Sequence, residues 1–337
     1  MKILTHRDYD PADVRALKAT GLLETITANR RNVRMDSADD AGIFFARQLD
    51  YIKAQLYNVK YPENHALSLF PVSYSVNPGA QTVSWRGFDR VGASKILAEE
   101  ATDIPRVAIS GIEKSTPIRT LGNFYSYSLG QMEAARFGGL PLDAELAKTS
   151  RLSIDQELNR IAWVGDAAHG LAGVLSPGNF PTLAAPSRIV DMTPMQILAF
   201  VRQMISLTAI TTMSVERPDT WAVPTDVFIH LIMTRFEDGS DMSIATWLKN
   251  NTLRLKEIIE VPELNADSDT LKGTAYEGVG TSFFYSKDEN SFSIEVPLAF
   301  DQTPPQPSEL AFKIFCRART AGALIYYPMS ALIVPGV

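Results

Sequence analysis

The chain has 337 residues, of which 45% are hydrophobic and 21% are charged, and its net charge is −6. This composition excludes a disordered protein, and no apolar run approaches the roughly 20 residues that a membrane-spanning helix needs. The negative charge also argues against a protein that coats nucleic acid over most of its surface. Because a single core stops growing at about 250–300 residues, we expect two lobes.

The cysteine usage and the N-terminus favour a reducing cytoplasm. Cys316 is the only cysteine, so intrachain disulfides are excluded. The first residues have too short an apolar core for a signal peptide. In the last predicted strands Cys316 alternates with charged residues and shares its face with Ile314 and Ala318, which favours a core residue over a reactive thiol.

The first 36 residues carry a basic patch. Arg30, Arg31 and Arg34 lie in the sequence NRRNVR. Arginine grips phosphate in a bidentate manner, so contact with DNA is one interpretation of this patch. A solvated arm, or contact with acidic side chains, is the interpretation that the residues themselves favour.

An amphipathic helix is predicted between Asp39 and Tyr57. Its apolar stripe is formed by Phe45, Leu49, Ile52 and Leu56, at spacings of four, three and four. Such a stripe packs either on this subunit's core or on the surface of a neighbour. Pro62 then prevents the helix from continuing.

An extended region follows. Val72, Tyr74 and Val76 alternate with polar residues, NPGA supplies a turn, and alternation resumes at Val83 and Trp85. The chain returns through residues 114–128. About fifty residues here predict strands without enough apolar residues for a core, so we expect another copy of the chain to cover their edges and aromatic rings.

A long helix is predicted next. Ser128 opens a capping box with Gln131, and a short helix ends at the two following glycines. From Pro141 a helix of about 23 residues can run to Gly165 without interruption. Its apolar residues lie on more than one side, so more than one layer of structure should contact it. A glycine-rich turn, GDAAHGLAGVLSPG, ends this spine.

The remainder predicts an α/β lobe. Thr193 and Gln196 form a second capping box, Thr225 and Ser243 are expected N-caps of two further helices, and residues 220–224 predict a short buried strand. Several strands follow, with Lys287–Asn290 as the expected turn of a hairpin. Residues 302–307, QTPPQP, predict a stiff connector.

Enzyme motifs are missing from the sequence. The four histidines are scattered, and no phosphate-binding loop, nucleophile elbow or dinucleotide-binding motif occurs. Asp166 and His169 lie close together and offer half of a catalytic dyad, but a turn after a long helix needs polar residues in any case. We therefore expect no catalytic residue, no cofactor and no metal.

The order of these segments resembles the major capsid proteins of tailed bacteriophages of the Hong Kong 97 (HK97) type, a fold shared with bacterial encapsulin shells. The most specific stretches are SLGQMEAARFGGLPLDAELA and DQELNRIAWVGDAAHGLAGVLS. The stretches RQLDYIKAQLYNVKYPE and SLFPVSYSVNPGAQTVSWRGFDRVGASKI resemble the family's N-terminal arm and extended loop. The similarity runs from about residue 37 to the end, and no lysine–asparagine pair matches the family's self-cross-linking site.

The resemblance implies an α+β, HK97-like fold with five segments. These are an N-terminal arm and helix (1–71), an extended loop with flanking strands (72–127), the spine helix of a peripheral domain (128–176), an axial domain (177–300) and returning strands (301–337). It implies a structural subunit that assembles itself into the icosahedral head of a tailed phage around double-stranded DNA. The subunit is expected in the virion, and in the host cytoplasm during assembly.

The resemblance also implies contacts. Hexamers and pentamers of the chain itself are expected, with portal, scaffolding and possibly decoration proteins as further partners and no membrane. Contact residues between subunits are Trp85, Arg86, Phe88 and Arg90 in the extended loop and Phe45, Leu49 and Ile52 in the arm. Arg30, Arg31 and Arg34 are expected to face DNA or scaffold.

Two other functions stay open from the sequence. An encapsulin-like compartment would enclose an enzyme instead of a genome. A soluble two-lobed α/β enzyme would place Asp166 and His169 in a cleft and form a small oligomer.

Overall fold

A computed structural model describes residues 63–92, 94, 106–138, 142–236, 241–252 and 254–337. The basic patch at 29–34 and the amphipathic helix expected at 39–57 lie outside these residues. The described helices are α1 (Ala66–Leu69), α2 (Leu129–Gly138), α3 (Leu142–Val164), α4 (Pro194–Thr211), α5 (Thr225–Met233) and α6 (Ile244–Asn251). No helix among the described residues is long and apolar enough to cross a membrane.

The described strands form three sheets and a separate ribbon. In chain order they are β1 (Val72–Ser73), β2 (Thr82–Val91), β3 (Ala108–Pro117), β4 (Arg119–Ser128), β5 (Gly165–Asp166), β6 (Leu171–Ala172), β7 (Thr220–Val223), β8 (Glu257–Glu260), β9 (Thr281–Tyr285), β10 (Phe292–Glu295), β11 (Leu298–Gln302), β12 (Gln306–Ser308), β13 (Ala311–Thr320), β14 (Gly322–Ile325) and β15 (Ala331–Pro335). The first sheet has the order β1-β10-β14-β6-β5, and the second is β15-β9-β7-β8. In the third, β13 pairs with β11 and β12 on one edge and with β4 along the other, and β2 pairs with β3 in the ribbon.

The long helix α3 spans 23 residues, as the sequence predicts, and carries Asp143 and Glu145 in its first turn. Ile154 and Leu158 pack with Ile314 of β13 in one hydrophobic cluster. One turn later, Trp163 belongs to a different cluster, between the first and second sheets. Two separate cores therefore meet along one helix, which confirms the expectation of a spine.

Helices α4, α5 and α6 pack on the other face of the second sheet. Trp221 and Phe284 from this sheet pack there with Leu231 and Leu248. Of the three helix starts predicted in this region, the structure confirms those at Thr193 and Ser243. The amide of Thr193 donates to Gln196 Oε1 at 2.8 Å, and the hydroxyl of Ser243 accepts from the amide of Thr246.

Two local expectations are wrong. Thr225 is not an N-cap but the first residue of α5, and its amide donates to the side chain of Asn265 at 2.8 Å. The turn at 287–290 does not join a hairpin, because β9 pairs with β7 and β15 whereas β10 pairs with β1 and β14. This turn carries the chain from one sheet to the next.

Candidate assembly surface

The ribbon of β2 and β3 lies outside all three sheets. The strands pair antiparallel over ten residues, from Thr82 opposite Pro117 to Val91 opposite Ala108. Ten residues at about 3.3 Å each give a length of roughly 33 Å. Eight consecutive residues of β3 are exposed. A two-stranded ribbon without a third layer is marginally stable in water, so this one needs cover or anchorage.

Among the described residues, the body of the chain holds the ribbon at its base. The guanidinium of Arg319 donates to the carbonyl oxygens of Pro78 and Ala80 in the turn before β2. In the same turn the amide of Gly79 donates to Asn77 Oδ1 at 2.8 Å. At the end of β3 the amide of Ile118 donates to the carbonyl of Gln81 at 2.8 Å. These contacts fix where the ribbon leaves the body.

Trp85 is half-buried against its own chain. Its ring meets that of Tyr326 edge-on at 5.4 Å between centroids, and the Lys114 ammonium lies 5.4 Å from the Trp85 ring centroid. The sequence predicts that Trp85 contacts a neighbouring subunit. In the structure, part of its surface is covered within the same copy, and the remaining exposed part is available for that contact.

Phe88 is a predicted contact residue that stays largely exposed in one copy. It lies opposite Gly111 and shares a face of the ribbon with Ile109. Phe88, Val107 and Ile109 are each 67% exposed, and Ile112 on the other face is 62% exposed. A contiguous apolar strip of this kind on a projecting element marks a binding surface.

The charged residues of the ribbon flank this strip. Arg86 Nε lies 3.2 Å from Glu113 Oε2 directly across the ribbon, and both side chains are exposed. Arg90 is exposed and lies opposite Ile109. An exposed ion pair contributes little to stability. These charges therefore border the apolar strip but add little to the free energy of a contact made there. The remaining predicted contact residues, Phe45, Leu49, Ile52, Arg30, Arg31 and Arg34, lie outside the described residues.

Asp166 and His169 do come together, as a turn. Asp166 Oδ2 lies 2.6 Å from His169 Nδ1, and Asp166 Oδ1 accepts from the amide of Ala168 at 3.1 Å. The hydrogen bond from His169 lowers the pKa of Asp166. Arg119 Nε donates to the carbonyl oxygen of His169 at 3.0 Å, and the Ser176 hydroxyl is engaged with the carbonyl of Val164. This arrangement caps the end of the spine.

Within the described part of the chain, no three His, Cys, Asp or Glu side chains lie where they could hold a metal ion. Sequence reasoning missed Arg319 and Tyr326, which hold the base of the ribbon. Arg319 follows the alternation of β13, and alternation reveals the face on which a residue lies but not its distant partner.

A family model described as major capsid protein matches residues 92–337. No curated protein matches the sequence. Among solved structures, the capsid of Myoviridae phage XM1 has a TM-score of 0.75 at 14% identity, covering 88% of this chain and 100% of that one.

Two further solved structures have a similar fold. The capsid of a native GTA particle has a TM-score of 0.64 at 11% identity, covering 90% of this chain and 99% of that chain. A structure from Mycobacterium phage Adephagia has a TM-score of 0.56 at 15% identity, covering 86% and 95% of the two chains. The chain therefore belongs to the major capsid protein family, and it is a structural capsid-shell protein with the HK97-like fold of tailed-phage capsids.

Proposed function

We propose that this chain forms the hexamers and pentamers of an icosahedral tailed-phage head that encloses double-stranded DNA. The observation that carries the proposal is the β2–β3 ribbon, whose apolar strip is uncovered in one copy. A shell supplies the missing cover, because each ribbon can lie on the next subunit.

The energetics favour this arrangement. Burying one large apolar side chain is worth about 1.5–3 kcal/mol. The strip offers three such side chains, and the loss of translational and rotational freedom on association offsets most of their gain, so each contact is modest. A subunit in a closed shell makes several contacts at once, and linked contacts reinforce one another. Weak individual contacts are reversible, so a misplaced subunit can dissociate while the shell grows.

The five segments are assigned roles in this proposal. The arm (1–71) and the extended loop (72–127) lie across neighbours, the segment 128–176 supplies the spine, the segment 177–300 forms the axial lobe, and 301–337 returns to both lobes. The packing of α3 in two cores supports the spine assignment. A rigid connection between two lobes keeps a subunit's contacts in a fixed relation.

The partners and location follow from the same role. Portal and scaffolding proteins, and possibly a decoration protein, are proposed partners, and assembly is placed in the host cytoplasm before the subunit becomes part of the virion. Arg30, Arg31 and Arg34 are proposed to face DNA or scaffold, since three arginines in five residues form a dense positive charge.

Replacing Phe88 with Asp tests the ribbon. A carboxylate cannot be buried without a partner, so the variant should remain a folded subunit and lose particle formation at least tenfold, which is about 1.4 kcal/mol per contact. Electron microscopy and light scattering of the purified protein give the readout. Phe88→Tyr, which keeps the ring, should assemble. Normal particles from Phe88→Asp would refute the assigned contact.

We also propose that the chain has no catalytic activity. The support is that Asp166 and His169 are engaged in capping a turn. His169→Ala should therefore form particles of normal size, as judged by electron microscopy, with at most a small drop in melting temperature. An activity on a small-molecule or ester substrate that this variant loses would favour the enzyme interpretation instead.

A further inference from the structure

A cleft of about 700 Å³ separates the base of the ribbon from the outer face of the first sheet. Trp85 and Phe88 line its ribbon side, and Ser73, Ser293, Glu295 and Tyr326 line its sheet side. On β10 the side chains alternate, so that Phe292 and Ile294 enter the core while Ser293 and Glu295 face the opposite way. The cleft thus has a polar floor and an aromatic wall.

The floor contains a buried carboxylate with one oxygen unpaired. Glu295 is 3% exposed. Its Oε1 accepts from the Ser293 hydroxyl at 3.0 Å, whereas Oε2 has no hydrogen-bond partner among the described residues. A buried oxygen without a hydrogen-bond donor loses its contact with water and gains nothing in return. A single copy of the chain therefore leaves Glu295 Oε2 short of a donor.

The other charges near the cleft do not supply that donor. Glu289 is a second acidic lining residue, and Arg86 is already paired with Glu113 at 3.2 Å. The Lys114 ammonium lies over the Trp85 ring, 5.4 Å from its centroid, and Glu295 Oε2 has no hydrogen-bond partner among the described residues. The lining thus holds two carboxylates against one paired arginine, which favours a cationic donor.

The lining selects among cations. A metal ion prefers several carboxylate or imidazole ligands, and no such cluster exists in the described residues. A guanidinium is planar, donates two parallel hydrogen bonds to a carboxylate and stacks on aromatic rings. Glu295 offers the carboxylate, the hydroxyls of Ser73 and Ser293 offer acceptors, and Trp85 with Tyr326 offers the rings.

We propose that this cleft binds the guanidinium of an arginine from a second copy of the chain. The inference rests on the proposed function, in which the ribbon lies at a contact between copies. The position of the cleft supports a second copy as the source, because the ribbon that forms one wall of the cleft also carries the exposed apolar strip. Assembly then supplies the donor that Glu295 Oε2 lacks in the isolated subunit.

The first test uses the unassembled full-length chain and two small probes, N-acetyl-arginine amide and its neutral isostere N-acetyl-citrulline amide. Trp85 lines the cleft and Trp163 and Trp221 are fully buried. The fourth tryptophan, the half-buried Trp247, is replaced by Phe in the protein used, so that tryptophan fluorescence reports on the cleft. The arginine probe should bind with saturation, and at least about tenfold more tightly than the citrulline probe, because a charge-assisted hydrogen bond is lost. Glu295→Gln should remove that preference.

The second test uses assembled particles. Their clefts are already filled by a neighbour, so the arginine probe should bind at least about tenfold more weakly than to the unassembled chain.

Equal binding of the two probes, or no saturation, would disprove the guanidinium site. If calcium chloride displaced the arginine probe, the cleft would be a metal site and not a guanidinium site. Undiminished binding to particles would overturn the second copy as the source. None of these results depends on the particle yield of Phe88→Asp, which tests the proposed function separately.

Discussion

At the scale of single residues, the turn that ends the spine depends on two glycines whose backbones touch. Gly165 has φ +78°, a conformation that L side chains rarely adopt, and a Cβ there would lie 2.5 Å from the amide nitrogen of Gly173. A Cβ on Gly173 would lie 2.2 Å from the amide nitrogen of Gly165. The neighbours in both cases are backbone atoms, which cannot move aside. This geometry accounts for the glycine-rich sequence after α3.

Gly165→Ala should therefore destabilise the subunit by about 3 kcal/mol or more, from the clash together with the strained φ. Gly178→Ala is the matched control. Gly178 also has a positive φ, +83°, but no atom lies within 4 Å of its Cβ position, so only the conformational cost of about 1 kcal/mol remains. Urea unfolding of the unassembled chain measures both variants. Equal losses would show that the close approach of Gly165 and Gly173 is unimportant.

At the scale of elements, the spine is the part most constrained by packing. Leu158 is 3% exposed and packs with β13, while Leu152 on the same helix is only half-buried. Leu158→Ala should lower the free energy of unfolding by about 3 kcal/mol because it removes buried methyl groups and leaves a cavity. Leu152→Ala should cost about 1 kcal/mol.

The same urea unfolding experiment compares the two variants. Similar losses at Leu152 and Leu158 would contradict the account in which Leu158, packed in one cluster with β13, contributes more to the packing of the helix than the half-buried Leu152.

Helix positions were predictable from sequence because their signals are local. The capping box is an example: the amide of Gln131 donates to the Ser128 hydroxyl at 3.2 Å and the amide of Ser128 donates to Gln131 Oε1 at 3.0 Å. Both partners lie within four residues of each other. The alternation around Cys316 likewise predicted its buried position, now 2% exposed.

The wrong expectations arise where the partner is distant in sequence. Consecutive strands usually pair, which made a hairpin at 287–290 the natural prediction. Alternation shows that β9 and β10 are buried, but not that they join different sheets. Thr225 was predicted to be an N-cap, yet its amide donates a hydrogen bond to the side chain of Asn265, forty residues later. The Tyr326 ring that meets Trp85 within its own chain is likewise distant in sequence, and the contact of Trp85 with a neighbouring subunit stays a prediction. No local pattern reveals these pairs.

At the scale of the whole molecule, the described residues divide into covered and uncovered surfaces. Three hydrophobic clusters fill the lobes and the spine, whereas the β2–β3 ribbon extends from the body with its apolar strip bare. A monomer gains nothing from such an element, since a two-stranded ribbon adds little stability of its own. A shell subunit gains a contact with its neighbour, which is consistent with membership of the major capsid protein family.

A cryo-electron microscopy reconstruction of particles formed by the purified chain tests this account most directly. We expect a closed shell in which Phe88, Val107 and Ile109, each 67% exposed in one copy, are buried against an adjacent subunit. A shell in which these three side chains still face solvent would contradict the central claim that the ribbon exists to be covered by another copy.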